Sequence, residues 1–199
     1  MRKALYTTIC CILIFAQIAC EQTQPNNVDL KTQPRAVEPE TSAKIEEIKD
    51  NTKETKTDYP NLKTQADAMG RAFSTNDFDK FADFMYPKLV EMSGGRDKFI
   101  ASLSASMKQA KSTGFELVGY EVGEPTQTTE IDNQIFSVLP TKTTMKFPQK
   151  TMTDQGSILA VSEDKGNNWK FVRVKTKESI RPLFPNAVDK LTFPETTIK

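Results

Sequence analysis

The spacing of apolar residues changes period at Gly114, and that change limits what the chain can fold into. Before it, Leu62, Ala66, Met69 and Phe73 recur at helical spacing behind Pro60, a residue suited to the first turn. They predict a helix that ends near Ser74. Asn76 stands where it can cap a second, shorter helix with Phe78, Phe81, Ala82 and Met85 on its apolar face, and Pro87 stops it. Gly94-Gly95 breaks the chain, after which Phe99, Ile100, Leu103, Met107 and Ala110 define a third helix closed by Gly114.

After Gly114 the chain is rich in β-branched and aromatic residues, in runs separated by Gly, Pro, Asn or Asp. Strands are expected over residues 115–122, 130–139, 141–147, 156–162 and 169–174, with a bulge where the alternation slips at Val118-Gly119-Tyr120. Helices first and consecutive strands afterwards predict an α+β fold, with three N-terminal helices packed on one face of a curved antiparallel sheet. The last segment sets Pro182, Pro185 and Pro194 among Leu183, Phe184, Leu191 and Phe193 without periodicity. It is expected to lie over a sheet edge as an extended tail.

Upstream, residues 21–58 contain no aromatic side chain before Tyr59 and are dominated by Thr, Lys, Glu, Gln, Asn and Pro. Such a stretch buries too little apolar surface to offset its ordering entropy, so it is expected to be a spacer, with a frayed helix around Ile45 and Ile48. The expected organisation is therefore a leader over 1–19, a tether over 20–58, and one α+β domain over 59–199.

The leader has Arg2 and Lys3, an apolar run from Ala4 to Ala16, and Gln17-Ile18-Ala19 directly before Cys20. The apolar run is shorter than the roughly 18 residues that span a bilayer as a helix, which suits a cleaved signal. Ala19-Cys20 resembles the end of the bacterial lipoprotein signal, although Gln17 departs from the aliphatic residue usual at its position. The resemblance implies cleavage before Cys20 and a diacylglycerol on its sulfur, anchoring the protein to the membrane of a bacterial cell envelope. Glu21 in place of Asp implies the outer membrane rather than retention in the inner one. Cys10 and Cys11 lie within the leader, so Cys20 would be the only cysteine of the processed chain, which excludes an internal disulfide.

Composition narrows the chemistry. Removal of the leader takes Arg2 and Lys3 from a chain of 27 basic and 26 acidic residues, leaving a formal charge of −1. Nothing in that balance favours nucleic acid as a partner. The chain has no histidine, which excludes Ser-His-Asp and Cys-His devices, an imidazole base and His-liganded metals. No spaced-carboxylate calcium loop is present, and no metal or cofactor is expected.

The order of elements, with Phe78-Asp79-Lys80-Phe81, Met85 to Met92, Gly94-Gly95, the helix to Gly114-Phe115 and the strand Trp169-Lys170-Phe171-Val172, is similar to the nuclear-transport-factor-2-like (SnoaL-like) superfamily. That resemblance covers about residues 60–175 and implies a cone, with helices packed into the hollow of the sheet. Enzymes of the superfamily use a His-Asp pair, impossible here, or an Asp base with a Tyr donor. For the second arrangement the sequence offers Tyr86 and Tyr120 with Asp79, Asp83 or Asp97, none of which matches a family catalytic position. Separately, Ser162-Glu163-Asp164-Lys165-Gly166-Asn167-Asn168-Trp169 resembles the Asp-box of sialidase propellers. A single copy reads as a well-made hairpin rather than a glycosidase site.

These features lead to the expectation of a non-catalytic, membrane-anchored lipoprotein that binds a small apolar ligand in a conical cavity, with Phe73, Phe81, Met85, Tyr86, Met107 and Tyr120 as candidate lining. The alternatives are an assembly module, a homodimer through a sheet face made polar by Thr141, Lys142, Thr143, Thr144 and Lys146, and an Asp/Tyr-dependent isomerase or lyase.

Overall fold

The computed structural model describes residues 53–54 and 59–199. The leader, Cys20 and nearly all of the expected tether lie outside the described residues. Lys53–Glu54, within the stretch expected to be spacer, forms a short strand, β1, paired antiparallel with Glu130 and Thr129.

Four helices, among the described residues, precede the main strands: α1 (Pro60–Ser74), α2 (Phe78–Phe84), α3 (Pro87–Met92) and α4 (Arg96–Ser112). Pro60 starts α1 as expected, and Leu62, Ala66, Met69 and Ala72 are buried along it. Asn76 does not cap α2. It takes a left-handed backbone (φ 59°) that closes α1, and the side chain of the next residue, Asp77, accepts from the Lys80 N–H. Pro87 stops α2 but also opens α3, so three expected helices become four; Pro at a first helical position loses no hydrogen bond. Between the two, extended Met85 bridges to Phe171, and the Tyr86 N–H donates to the Phe171 carbonyl. Gly114 (φ 82°) closes α4, with the Phe115 N–H donating back to the Ala110 carbonyl.

The antiparallel sheet is built on β4 (Gln134–Phe147) and β5 (Lys150–Ser162), one long hairpin in register along its whole length. On its other side β4 pairs first with β3 (Gln127–Ile131) and then with β2 (Glu116–Val122). β5 pairs with β6 (Lys170–Val174). Two expected boundaries move. Residues 130–139 are cut by a turn in which Asp132 and Asn133 both take positive φ, the geometry of a tight hairpin. The break expected at Pro140 is absent: Pro140 falls where β4 exchanges β3 for β2, so its missing N–H removes no ladder bond there. The expected bulge is present, with the register shifting between Leu117 and Gly119 and Val118 left 56% exposed.

Both faces of this curved sheet are covered. The helices bury Leu62, Met69, Phe81, Phe99, Leu103 and Met107 against Ile135, Leu139, Met145, Ile158 and Phe171 on one face. On the other face the C-terminal segment buries Ile180, Leu183, Phe184, Val188 and Leu191 against Phe136, Val138, Leu159, Val161, Val172 and Val174. The tail is therefore neither extended nor confined to an edge. It contains helix α5 (Lys177–Ile180), with a Thr176 capping box, and a 3-10 turn at Val188–Lys190. Only its end, β7 (Thr197–Ile198), pairs at an edge, with Asp154 and Gln155. Thr141 and Thr143, expected on an exposed face, are buried, while Lys142 and Lys146 are exposed.

Candidate functional site

Where α1 and α2 meet β2 and β6, a pocket of about 70 Å³ remains between helices and sheet. Met69, Phe73, Phe81, Met85 and Phe99 form its apolar wall on the helix side, and Ile158 and Phe171 its floor. The aromatic rings lock one another: Phe73 lies 5.2 Å from Phe81 and 5.6 Å from Tyr120, and Phe81 stacks on Phe99 at 6.4 Å. Toward the tail the lining turns polar, through Arg173, Lys175 and the exposed Ser179. On the scale of a dry cavity of about 150 Å³ that takes one benzene, roughly 25 Å³ per heavy atom, the space holds about three heavy atoms.

Of the six residues expected to line a cavity, Phe73, Phe81, Met85 and Tyr120 do so. Met107 is buried on α4 and packs into the helix-side core without bordering the pocket. Tyr86 faces the opposite core, its ring 4.8 Å from Phe184, because the Met85 bridge turns the chain over the edge of β6. Burial raises the Tyr86 phenol above its ordinary value, and the nearby Glu163 carboxylate adds to the rise. Asp79 and Asp83 pair with Arg96 on the surface, and Asp97 is exposed in the first turn of α4. None of the three lines the pocket.

A different carboxylate stands near a tyrosine. Asp154 on β5 is 2% exposed and accepts a hydrogen bond from Arg173 Nη2 on β6. The alternation of the strands puts both on the helix-facing side with Ile158 and Phe171. Tyr120 reaches the same place from β2. Burial pushes its phenol up to about 12; Arg173 and a hydrogen bond from Thr141 pull the other way, and the Asp154 charge adds to the rise. Tyr120 is therefore a neutral donor at ordinary pH. Asp154 Oδ2 is already taken by Arg173, and Arg173 itself keeps 25% of its side chain exposed, at the pocket wall.

Sequence reasoning missed the pair of Asp154 and Arg173. The residues lie on separate strands, and neither belongs to a motif; the only local signal is a charge on the inward phase of an otherwise apolar strand.

The hairpin after β5 behaves as a local structure. The Ser162 hydroxyl and the Asp164 carboxylate accept from the Gly166 and Asn168 N–H groups at 2.8 Å each, and Trp169 Nε1 donates to the Gly166 carbonyl. The Asn168 hydrogen bonds hold the Asp164 carboxyl below its ordinary value. Gln65 of α1 ties the turn to the helices, donating to the Asn167 carbonyl and accepting from the Trp169 N–H.

Among the described residues no three acidic or sulfur side chains cluster as a metal site. Compared with known proteins, the chain matches no family model, no curated protein and no solved structure.

Proposed function

We propose that this chain is a lipid-anchored protein of the bacterial envelope whose domain, a cone of the nuclear-transport-factor-2-like kind, binds a small, largely apolar ligand without chemical turnover. The observation that carries the reading is the pocket itself: apolar walls from the four helices and the sheet, with polar side chains, Arg173, Lys175 and Ser179, on the side of the tail. Helices followed by a bent antiparallel sheet support the cone. The order of charges, apolar run and Ala19-Cys20 supports the anchor. Met69 and Met85 in the wall let the space adapt, since their unbranched thioether chains change rotamer at little cost.

Two experiments test the two halves. Met69→Trp fills the pocket, so saturable binding of a small apolar compound by the wild type should disappear in this variant while the fold persists; retained binding refutes the site. Cys20→Ala should abolish fatty-acid labelling and release the protein from membranes. Labelling that survives the change refutes the anchor.

A second reading, an Asp/Tyr-dependent isomerase, is favoured by the buried Asp154 near Tyr120. It ranks lower because Asp154 Oδ2 is engaged by Arg173 and Asp154 does not line the pocket. A substrate would find the tyrosine before the carboxylate.

A further inference from the structure

Resting on the proposal of a ligand pocket, we infer that the ligand is a short aliphatic monocarboxylate, its chain among Met69, Phe81 and Met85 and its carboxylate on Arg173. Charge at the pocket selects the head group. The lining contains the Arg173 guanidinium and no carboxylate. Asp154 is nine-tenths buried behind Arg173 and outside the lining, where it orients the guanidinium. A guanidinium carries five N–H donors in a rigid fork, so one bond to Asp154 leaves donors for a second anion, and the fork matches a carboxylate in geometry. The Arg173 side chain borders the pocket and keeps 25% of its surface exposed.

The depth of the pocket selects the chain. About three heavy atoms fit behind the rim, which matches the aliphatic part of a molecule such as butanoate and excludes a long acyl chain held straight. The neutral Tyr120 phenol borders the same space and offers an uncharged donor to the second carboxylate oxygen. An amine head group would find no carboxylate in the lining and would stand against the Arg173 guanidinium.

The test titrates the full-length protein with butanoate, 1-butanol and butylammonium, following the Met85 methyl and the Arg173 Nε–H by NMR. The methyl reports occupation of the pocket, and the guanidinium reports the head group. Butanoate should move both signals and bind at least about tenfold more tightly than 1-butanol, with butylammonium weakest. If 1-butanol binds as well as butanoate while Arg173 stays unmoved, the carboxylate assignment is wrong and the pocket stands. If no compound moves the Met85 methyl, the pocket reading fails and takes this inference with it. Because Arg173→Gln alone strands a buried carboxylate, the paired variant is Asp154→Asn with Arg173→Gln. It should bind butanoate and 1-butanol equally; a preference that persists in it overturns the role of Arg173.

Discussion

Gly70 lies mid-helix in α1 because the ring of Tyr120 occupies the space a side chain would need: an added Cβ would stand 2.9 Å from Tyr120 Cδ1. Glycine costs a helix interior about 1 kcal/mol relative to alanine. The chain accepts that cost where the seat of Tyr120 requires it. Gly70→Ala should therefore lower stability by about 1–2 kcal/mol in denaturant unfolding, the overlap exceeding the gain in propensity. In a Tyr120→Leu background the same change should become neutral or stabilising.

Tyr120 also gives the fold an alkaline limit. Its phenol titrates at about 12 in the folded protein against an ordinary 10.0, so the folded state holds the proton more tightly than the unfolded one. The stabilisation is fully present below pH 10 and is lost as pH rises through 12, amounting to about 2–3 kcal/mol. Urea unfolding followed across that window should show the decline in the wild type and a flatter profile in Tyr120→Phe.

Removing one partner of the buried pair should cost more than removing both. Arg173→Ala leaves the buried Asp154 carboxylate without the guanidinium that donates to it, and a loss of about 3–5 kcal/mol is expected. Asp154→Leu with Arg173→Met should recover most of it. Equal losses for the single and double variants in a double-mutant cycle would contradict the pairing.

Gly166 should tolerate no side chain. Its φ of 88° is left-handed, and a Cβ would approach Tyr59 Cδ1 to 2.3 Å. Tyr59 in turn packs edge-on to Trp169 at 5.4 Å. Gly166→Ala is expected to destabilise by about 2–3 kcal/mol and to shift Trp169 fluorescence toward longer wavelength.

The helix faces were legible because each repeats one side chain over another through three or four turns, and Leu62, Ala66, Met69, Phe99, Leu103 and Met107 all point inward as their spacing requires. Punctuation was less legible. Pro87 both ends one helix and begins another, and its residue type alone does not distinguish the two roles. Asp132-Asn133 reads as polar strand until both residues are seen at positive φ. The strand faces were obscured where both are buried, since β5 from Gly156 to Ser162 has no exposed residue to mark the alternation. Tyr120 was recoverable from its strand neighbours, whereas Tyr86 depended on a chain reversal at Met85 that no local pattern encodes. The tail escaped because its apolar residues are spaced by turns and prolines that wrap a surface, which leaves no period to read.

That tail has a consequence for how the molecule can be made. Residues 175–199 follow every strand of the hairpin core, yet they supply most of the cover of the second sheet face, with Tyr86 and Leu89 beside them, and pair β7 onto β5 beside Asp154. A nascent chain that has already emerged as far as β6 therefore exposes Phe136, Val138, Leu159, Val161, Val172 and Val174 as an open apolar plane. Completion of the fold must wait for Ile180 to Leu191, and until then the chain is a client for a chaperone rather than a finished domain. A truncation before Ile180 would act in the same way, yielding a product that sticks to itself instead of one that is merely shorter.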